Sequence, residues 1–192
     1  VYGLTLPTTF EVTRTRDVKV EPDIVYDLVA DLSNNAEWSP WVAMDPTIVQ
    51  TASGEAGKVG NKYVWKGDKS GSGSLEITAV DPMVSIDERV VFDDVGAASA
   101  IRWHFEQSVT GTRVSWSMQG DVGMPVIGGF FAQQMEGNVG PDFERGLGHV
   151  RRRGCELLVP GIRRLVGTNG GKAESQYAAG TEAAGGVHGH GG

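Results

Sequence analysis

Apolar and polar residues alternate through the stretch IRWHFEQSVTGTRVSWSM, residues 101–118. In its first half every second residue is apolar: Ile101, Trp103 and Phe105. After the turn signal Thr110-Gly111 the same pattern resumes with Val114, Trp116 and Met118. A period of two with one apolar face is typical of paired antiparallel strands that cover a core on one side only.

The same period extends outward from this stretch toward the N-terminus. Tyr63 and Trp65 share one strand face, as do Leu75 and Ile77, and residues 10–20 form a first strand. The breaks between strands are rich in Gly, Asp and Pro and fall at 53–57, 67–71, 81–82 and 93–96. We therefore predict an α+β fold built on a curved antiparallel sheet of six to seven strands.

Two helical stretches are predicted to accompany this sheet. Glu21-Pro22 opens a short helix after the first strand, since proline suits the first position of a helix. From Val139 to Leu157 apolar residues recur at spacings of three and four, which predicts a long amphipathic helix with Pro141 in its first turn. Residues 124–135 are interpreted as a short helix or ordered loop that leads into the long helix, with a lid over one end of the fold as a further alternative.

Composition divides the chain of 192 residues into three parts. Residues 167–192 are rich in Gly and Ala and have too few large apolar side chains to offset the entropy of ordering, so we predict a disordered tail. Residues 1–9 are interpreted as an N-terminal extension. Residues 10–166 are predicted to form one domain, which is large enough for one core and one cavity.

Charge and apolar runs exclude several classes of protein. The net charge of −7 argues against a general nucleic-acid-binding protein, which needs clustered Lys and Arg. No apolar run approaches the roughly 20 residues of a transmembrane helix. A single cysteine, Cys155, and the lack of a signal-peptide pattern at the start favour a cytoplasmic protein. A transient contact with a membrane or another protein is left open, as is the oligomeric state.

Several local motifs follow one another in the order found in a known superfamily. They are Val18-Lys19-Val20-Glu21-Pro22, Trp38-Ser39-Pro40-Trp41 followed by Asp45-Pro46, Gly71-Ser72-Gly73, Gly111-Thr112-Arg113-Val114-Ser115-Trp116 and Asp142-Phe143-Glu144-Arg145-Gly146-Leu147. Residues 10–158 thereby resemble the START/Bet v 1-like (SRPBCC) superfamily, and most of all its bacterial polyketide cyclase/dehydrase and lipid-transport-like branch. The resemblance implies the helix-grip fold, in which the sheet wraps round the long C-terminal helix and short helices follow the first strand. It also implies an apolar or amphipathic ligand held between sheet and helix.

Large apolar residues on the presumed inner face are more numerous than a small core requires. We therefore predict a cavity, with these candidate lining residues: Trp38, Trp41, Tyr63, Trp65, Trp103, Phe105, Trp116, Met118, Phe130, Phe131, Met135, Phe143 and Leu147. For Trp65, Trp103 and Trp116 the alternative is plain sheet core. Trp38 and Trp41 either anchor the Ser-Pro turn between them or form the mouth of the pocket.

Four polar residues are candidates for contact with a ligand: Arg14, Arg16, Glu88 and His149. Arg14 and Arg16 share the register of the valines in the first strand. Either an edge position or bulge explains this, or one guanidinium enters the pocket and binds a ligand carboxylate. No catalytic residue, metal site or cofactor is predicted, because no nucleophile motif, phosphate loop or complete ligand set is present.

Three functions fit these observations. The first is a carrier or sensor that binds a lipid- or polyketide-like molecule in the cavity. The second is a polyketide cyclase, aromatase or dehydratase that uses the same cavity, and the third is an interaction module with a filled core. We favour binding, because an enzyme needs an inward acid–base group and the sequence offers only ambiguous ones. A void above roughly 300 Å³ would favour a ligand over a filled core.

Overall fold

A computed structural model describes residues 7–94, 96–122 and 128–158, with side chains omitted for residues 128–131. The predicted tail at 167–192 and most of the predicted N-terminal extension lie outside the described residues. The described strands are β1 (Thr9–Val18), β2 (Val49–Ser53), β3 (Lys62–Gly67), β4 (Gly71–Asp81), β5 (Ser85–Phe92), β6 (Ala97–Ser108) and β7 (Gly111–Asp121). The helices are α1 (Pro22–Ala30), α2 (Asn35–Trp38), α3 (Pro40–Met44) and α4 (Gly128–Leu157), with a 3₁₀ turn at Leu32–Asn34.

The seven strands form one curved antiparallel sheet in the order β1-β7-β6-β5-β4-β3-β2. β1 and β2 are therefore its two edges. Short helices follow β1, and α4 lies across the inner face, mainly against β1. The predicted α+β helix-grip fold is confirmed. Among the described residues no helix is long and apolar enough to cross a membrane.

The alternation in residues 101–118 places the core as predicted. On β6 and β7 the apolar members are buried, and the intervening residues of β6 are exposed. Trp103 of β6 lies directly opposite Trp116 of β7 in the strand register. This cross-strand pair on the inner face becomes the centre of the core, because cross-strand neighbours on one face are in contact.

The segment between α2 and α3 turns at Ser39, as the Ser-Pro signal predicts. Ser39 is extended, with φ −61° and ψ 127°, and Pro40 begins α3. A residue before proline is excluded from helical geometry by the proline ring, so the helix must stop and restart here. The break brings Trp38 and Trp41 to the inner side of the fold, where both touch Trp116.

The prediction that the long helix begins near Val139 is wrong. α4 begins at Gly128 and continues through Pro141, so residues 128–135 are its first turns and not a separate lid. The remainder of the predicted lid segment includes residues outside the description. An internal proline costs a helix about 3 kcal/mol, but full burial of Phe143, Leu147 and Val150 offsets this cost, since each buried apolar side chain contributes roughly 1.5–3 kcal/mol.

Glycine in α4 allows the helix to approach the sheet closely. A Cβ added to Gly146 would lie 2.7 Å from Cζ3 of Trp116 and 3.3 Å from Cδ of Pro40. At this position the helix backbone therefore packs directly on an indole ring. A Cβ added to Gly137, on another face of the helix, would have no atom within 4 Å.

Replacing Gly146 with alanine is expected to lower the free energy of unfolding by about 1–2 kcal/mol. Overpacking against Trp116 costs about 1–3 kcal/mol, and the better helix propensity of alanine returns at most about 1 kcal/mol. Gly137→Ala is the matched control and should raise the free energy of unfolding by up to about 1 kcal/mol. Urea denaturation followed by tryptophan fluorescence measures both, and equal effects of the two substitutions would contradict the close approach.

Candidate functional site

A cavity of about 300 Å³ lies between the inner face of the sheet and α4. Seven aromatic side chains line it: Trp38, Trp41, Tyr63, Trp65, Phe92, Trp116 and Phe143. Seven aliphatic or thioether side chains complete the apolar lining: Ile48, Leu75, Val90, Ile101, Met118, Met135 and Val139. The polar residues of the lining are Asn35, Ser39, Ser70, Glu88 and Asp142. The space is thus mostly apolar and has a few polar groups at defined places.

One wall of the cavity is a stack of aromatic rings. Trp116 lies between Trp103 and Phe143, with ring centroids 4.4 Å and 3.9 Å away and interplanar angles of 15° and 3°. Trp38 meets Trp103 and Trp116 edge-on at 5.3 Å and 5.7 Å, and Trp41 meets Trp116 edge-on at 5.8 Å. The rings of this wall come from β6, β7, α2, α3 and α4, so the stack joins five elements.

The opposite wall is built by β3 and its neighbours. Tyr63 and Trp65 both point inward because they are two residues apart on one strand. Trp65 stacks on Tyr63 at 6.0 Å, and its indole N–H donates to the carbonyl oxygen of Ser70 at 3.3 Å. Glycine at position 73 is required opposite this ring, since a Cβ there would lie 2.5 Å from the Trp65 indole. Burial raises the pKa of Tyr63 to about 12, so its phenol stays protonated.

Asp45 holds the loop at this end of the cavity. Its carboxylate accepts hydrogen bonds from the Thr47 hydroxyl at 2.6 Å and from the backbone N–H groups of Thr47, Lys69 and Ser70 at 2.8–3.1 Å. These donors hold the pKa of Asp45 well below its usual range, with the Thr47 hydroxyl contributing most. The carboxylate thereby ties the chain after α3 to the β3–β4 turn that carries Ser70.

The structure places eight of the thirteen predicted apolar candidates in the lining: Trp38, Trp41, Tyr63, Trp65, Trp116, Met118, Met135 and Phe143. Trp103, Phe105 and Leu147 are buried in the core and do not line the cavity. Trp103 is covered by Trp38 and Trp116, and Phe105 by Tyr26 at 5.6 Å. The side chains of Phe130 and Phe131 lie outside the described residues.

The two candidate arginines do not enter the cavity. β1 is an edge strand, and Arg14 forms ion pairs across the gap to Glu136 at 2.7 Å and Glu144 at 2.9 Å, both on α4. Arg16 is half-buried near Gly148 of α4 and is likewise absent from the lining. The edge position therefore explains their register, and the alternative, a guanidinium that enters the pocket to bind a ligand carboxylate, is realised by neither arginine.

His149 lies on the far side of the α2–α3 turn. Its Nδ1 is 3.0 Å from the backbone oxygen of Trp38, and it lines a separate polar surface groove with Arg152 and Glu37. The spacing of the apolar residues in α4 predicts that His149 lies beside the apolar face of the helix. In the structure it contacts α2 and does not line the cavity. It therefore belongs to the packing of α4 on α2.

Glu88 is the one predicted polar candidate that lines the cavity. It is 3% exposed and lies between Ile86 and Val90 on the inner register of β5. The indole N–H of Trp103 donates to its Oε2 at 3.1 Å. Burial raises the pKa of Glu88 to about 8, the nearby charge of Asp87 acts in the same direction, and the Trp103 hydrogen bond opposes them. The carboxyl group is thus mostly protonated at neutral pH.

Asp142 is a lining residue that the sequence did not indicate. The indole N–H of Trp41 donates to its Oδ2 at 3.2 Å, and Arg145 pairs with its Oδ1. Its position three residues after Val139 and one before Phe143 places it at the border of the apolar stripe. A polar residue at such a border is a weak signal, because it equally fits the solvated flank of a helix.

A family model described as polyketide cyclase / dehydrase and lipid transport matches residues 9–154 of this chain. The chain belongs to this family. The resemblance to the START/Bet v 1-like superfamily that its motifs indicate is thereby confirmed. No curated protein matches the chain significantly.

Solved structures share the fold at low sequence identity. A protein of Chromobacterium violaceum is 16% identical, with 74% of this chain and 95% of that chain covered and a TM-score of 0.55. The Aha1 dimer from Colwellia psychrerythraea is 13% identical, with 73% and 92% covered and a TM-score of 0.53. The di-domain ARO/CYC StfQ from the steffimycin biosynthetic pathway is 9% identical, with 77% of this chain and 51% of that chain covered and a TM-score of 0.58.

No group of three or more His, Cys, Asp or Glu side chains suited to a metal ion occurs among the described residues.

Replacing Glu88 with glutamine is expected to flatten the dependence of stability on pH. The folded protein keeps the Glu88 proton up to about pH 8, whereas an ordinary glutamate loses it near 4.5. The stability that this proton contributes is complete below pH 4.5 and is lost as the pH rises to 8, by up to about 1.4 kcal/mol per pH unit. Urea denaturation from pH 5 to 8 measures the slope, and the exposed Glu106→Gln is the control. Parallel slopes for wild type and Glu88→Gln would contradict the burial of an ionisable carboxyl group.

Proposed function

We propose that this protein binds a small hydrophobic molecule in the cavity between sheet and α4, as a carrier or sensor. The observation that carries this proposal is the cavity of about 300 Å³ with a predominantly apolar lining. Such a space is at the lower end of the range for small-molecule sites, which runs from about 300 to 1,000 Å³. A compact molecule fits it better than a long-chain lipid.

The entrance to this cavity is indicated by partial exposure. Trp41 on α3 and Met135, Val139 and Asp142 on α4 are half-buried, whereas Glu88 and its lining neighbours Val90 and Ile101 on the central strands are buried. A ligand therefore enters between α3 and the first half of α4 and meets Glu88 at the inner end. The Trp41–Asp142 hydrogen bond joins the two sides of this entrance.

Burial alone supplies enough free energy for measurable binding. At about 25 cal/mol per Å², a ligand that buries roughly 300 Å² of apolar surface gains several kcal/mol before the cost of association. The aromatic wall is already packed in the absence of a ligand, which lowers the cost of ordering side chains on binding. Family membership and the shared fold with StfQ support a role in binding or cyclising such a molecule. An interaction module with a filled core is disfavoured by the same cavity.

Filling the cavity is expected to weaken binding. Val90→Phe adds a ring at a buried lining position, whereas Val64→Phe adds the same ring on the exposed outer face of β3. We expect Val90→Phe to weaken the binding of a hydrophobic fluorescent dye at least about tenfold, as lost contact area predicts, and Val64→Phe to leave it unchanged. Native mass spectrometry of the purified wild-type protein tests for a bound natural ligand. Equal dye binding by both variants, with no co-purifying molecule, would remove the support for this function.

A second candidate function is favoured by one observation, the inward carboxyl group of Glu88. A cyclase, aromatase or dehydratase needs an acid–base group inside the cavity, and a group with a pKa of about 8 can both donate and accept a proton near neutral pH. The cavity walls would hold a reactive chain in a folded conformation, which by itself accelerates ring closure. Glu88 would then protonate a carbonyl or hydroxyl oxygen of the substrate.

For the enzymatic candidate, we expect wild-type protein to change the cyclised products formed from a poly-β-keto thioester, and Glu88→Gln to lose this effect. Liquid chromatography with mass spectrometry compares the products with those formed without protein. Glu106→Gln, on the outer face of β6, is the control and should behave as wild type. The same products with and without wild-type protein would exclude cyclisation of this substrate class.

A further inference from the structure

The ionisable side chains that line the cavity are of one sign only. Glu88 and Asp142 carry carboxyl groups, and no Lys, Arg or His lines the cavity within the part of the chain that the structure describes. Two arginines of the surrounding elements, on β1 and α4, are paired outside it. Arg14 pairs with Glu136 and Glu144, and Arg145 lies on the exposed side of Asp142.

The two carboxyl groups differ in how they are compensated. Asp142 accepts from Trp41 and pairs with Arg145, so its charge is balanced by groups of the protein. Glu88 accepts one hydrogen bond, from the neutral indole of Trp103, and its Oε1 accepts none from the described residues. A buried carboxylate without a cation is unfavourable, because desolvation is not repaid. The cavity therefore contains one charge position for which none of the described residues provides a partner.

We propose that the ligand of this cavity is a hydrophobic amine whose ammonium group pairs with the carboxylate of Glu88. This inference rests on the proposed function and specifies its ligand class. An ammonium supplies the missing opposite charge, and the aromatic lining suits a cation, since indole and phenol rings attract cations at their faces. A ligand carboxylate would meet two carboxyl groups and no cation, so fatty acids are disfavoured. The net charge of −7 also favours the approach of a cation.

The groups that face Glu88 do not compete for this role. On β5 the neighbouring Asp87 points to the outer face and pairs with Arg102 of β6 at 2.5 Å. From β3 the cavity receives the phenol of Tyr63, which stays neutral, and from α4 it receives Asp142, which is already paired. The inward neighbours in register on β4 and β6 are Ile77 and Ile101. The binding of an amine would therefore change the ionisation of Glu88.

Three probes of matched size separate the ligand classes. Naphthalen-1-ylmethylamine carries an ammonium group, naphthalen-1-ylmethanol is neutral, and 1-naphthoic acid carries a carboxylate. Isothermal titration calorimetry with the wild-type protein at pH 6, 7 and 8 measures each affinity. We expect the amine to bind at least about tenfold more tightly than the alcohol at pH 8, and the acid to bind most weakly.

The direction of the pH dependence is the sharper test. Below pH 8 the amine must displace the Glu88 proton, so its affinity should rise from pH 6 to 8, approaching about tenfold per pH unit at the acid end. A neutral ligand that accepts a hydrogen bond from protonated Glu88 would show the opposite trend. The wild-type profile tests the ion pair without any substitution.

Glu88→Gln tests the same pair directly. The variant should bind the amine about thirtyfold or more weakly at pH 8 and lose the pH dependence, while binding of the alcohol changes little. Glu106→Gln on the outer face of β6 should match the wild type. The amine proposal is overturned if the alcohol or the acid binds as tightly as the amine, or if the affinity for the amine falls between pH 6 and 8. In those cases the cavity remains a ligand site, whereas failure of all three probes to bind would overturn the proposed function as well.

Discussion

The packing of Trp116 between Trp103 and Phe143 is the contact on which the rest of the structure depends. It joins two neighbouring strands to α4 through stacked rings, and Gly146 lets the helix backbone reach the same indole. Trp38 and Trp41 close on this stack from α2 and α3. One side chain therefore fixes the distance between sheet, long helix and short helices, and aromatic pairs of this geometry are favourable beyond the area they bury.

The cavity is a consequence of where this contact lies. α4 is held close to the β1 and β7 side of the sheet, by the ring stack and by the ion pairs of Arg14 with Glu136 and Glu144. On the other side of the sheet, inward side chains of β3 to β5 and residues of α4 face each other across the cavity. The space between is bounded by Trp65 and Tyr63 on one wall and by the Trp116 stack on the other.

The charge inside this space narrows the chemistry of the ligand. Arg14, which could have served a carboxylate, stabilises the helix–strand edge instead, and Glu88 is the cavity-lining carboxyl group without a charged partner among the described residues. Carrier and cyclase would use the same group in different ways, as one half of an ion pair or as a proton donor and acceptor. Both uses depend on the same fact, that a carboxyl group is surrounded by apolar and aromatic side chains.

The sequence by itself determined the sheet, its inner face and most of the aromatic lining, because a period of two places Tyr63, Trp65 and Trp116 on one side whatever the rest of the chain does. Only the tertiary structure decided that α4 starts before Pro141, since that depends on how much burial offsets a local helix-breaking signal. It also decided that Trp103 and Phe105 lie under Trp38 of α2 and Tyr26 of α1, whereas Trp65 faces the cavity. Finally, the tertiary structure decided that Glu88 lines the cavity whereas Arg14, Arg16 and His149 do not. The burial and the partners of a side chain depend on neighbours that are distant in the chain, and the periodicity of the sequence carries no information about them.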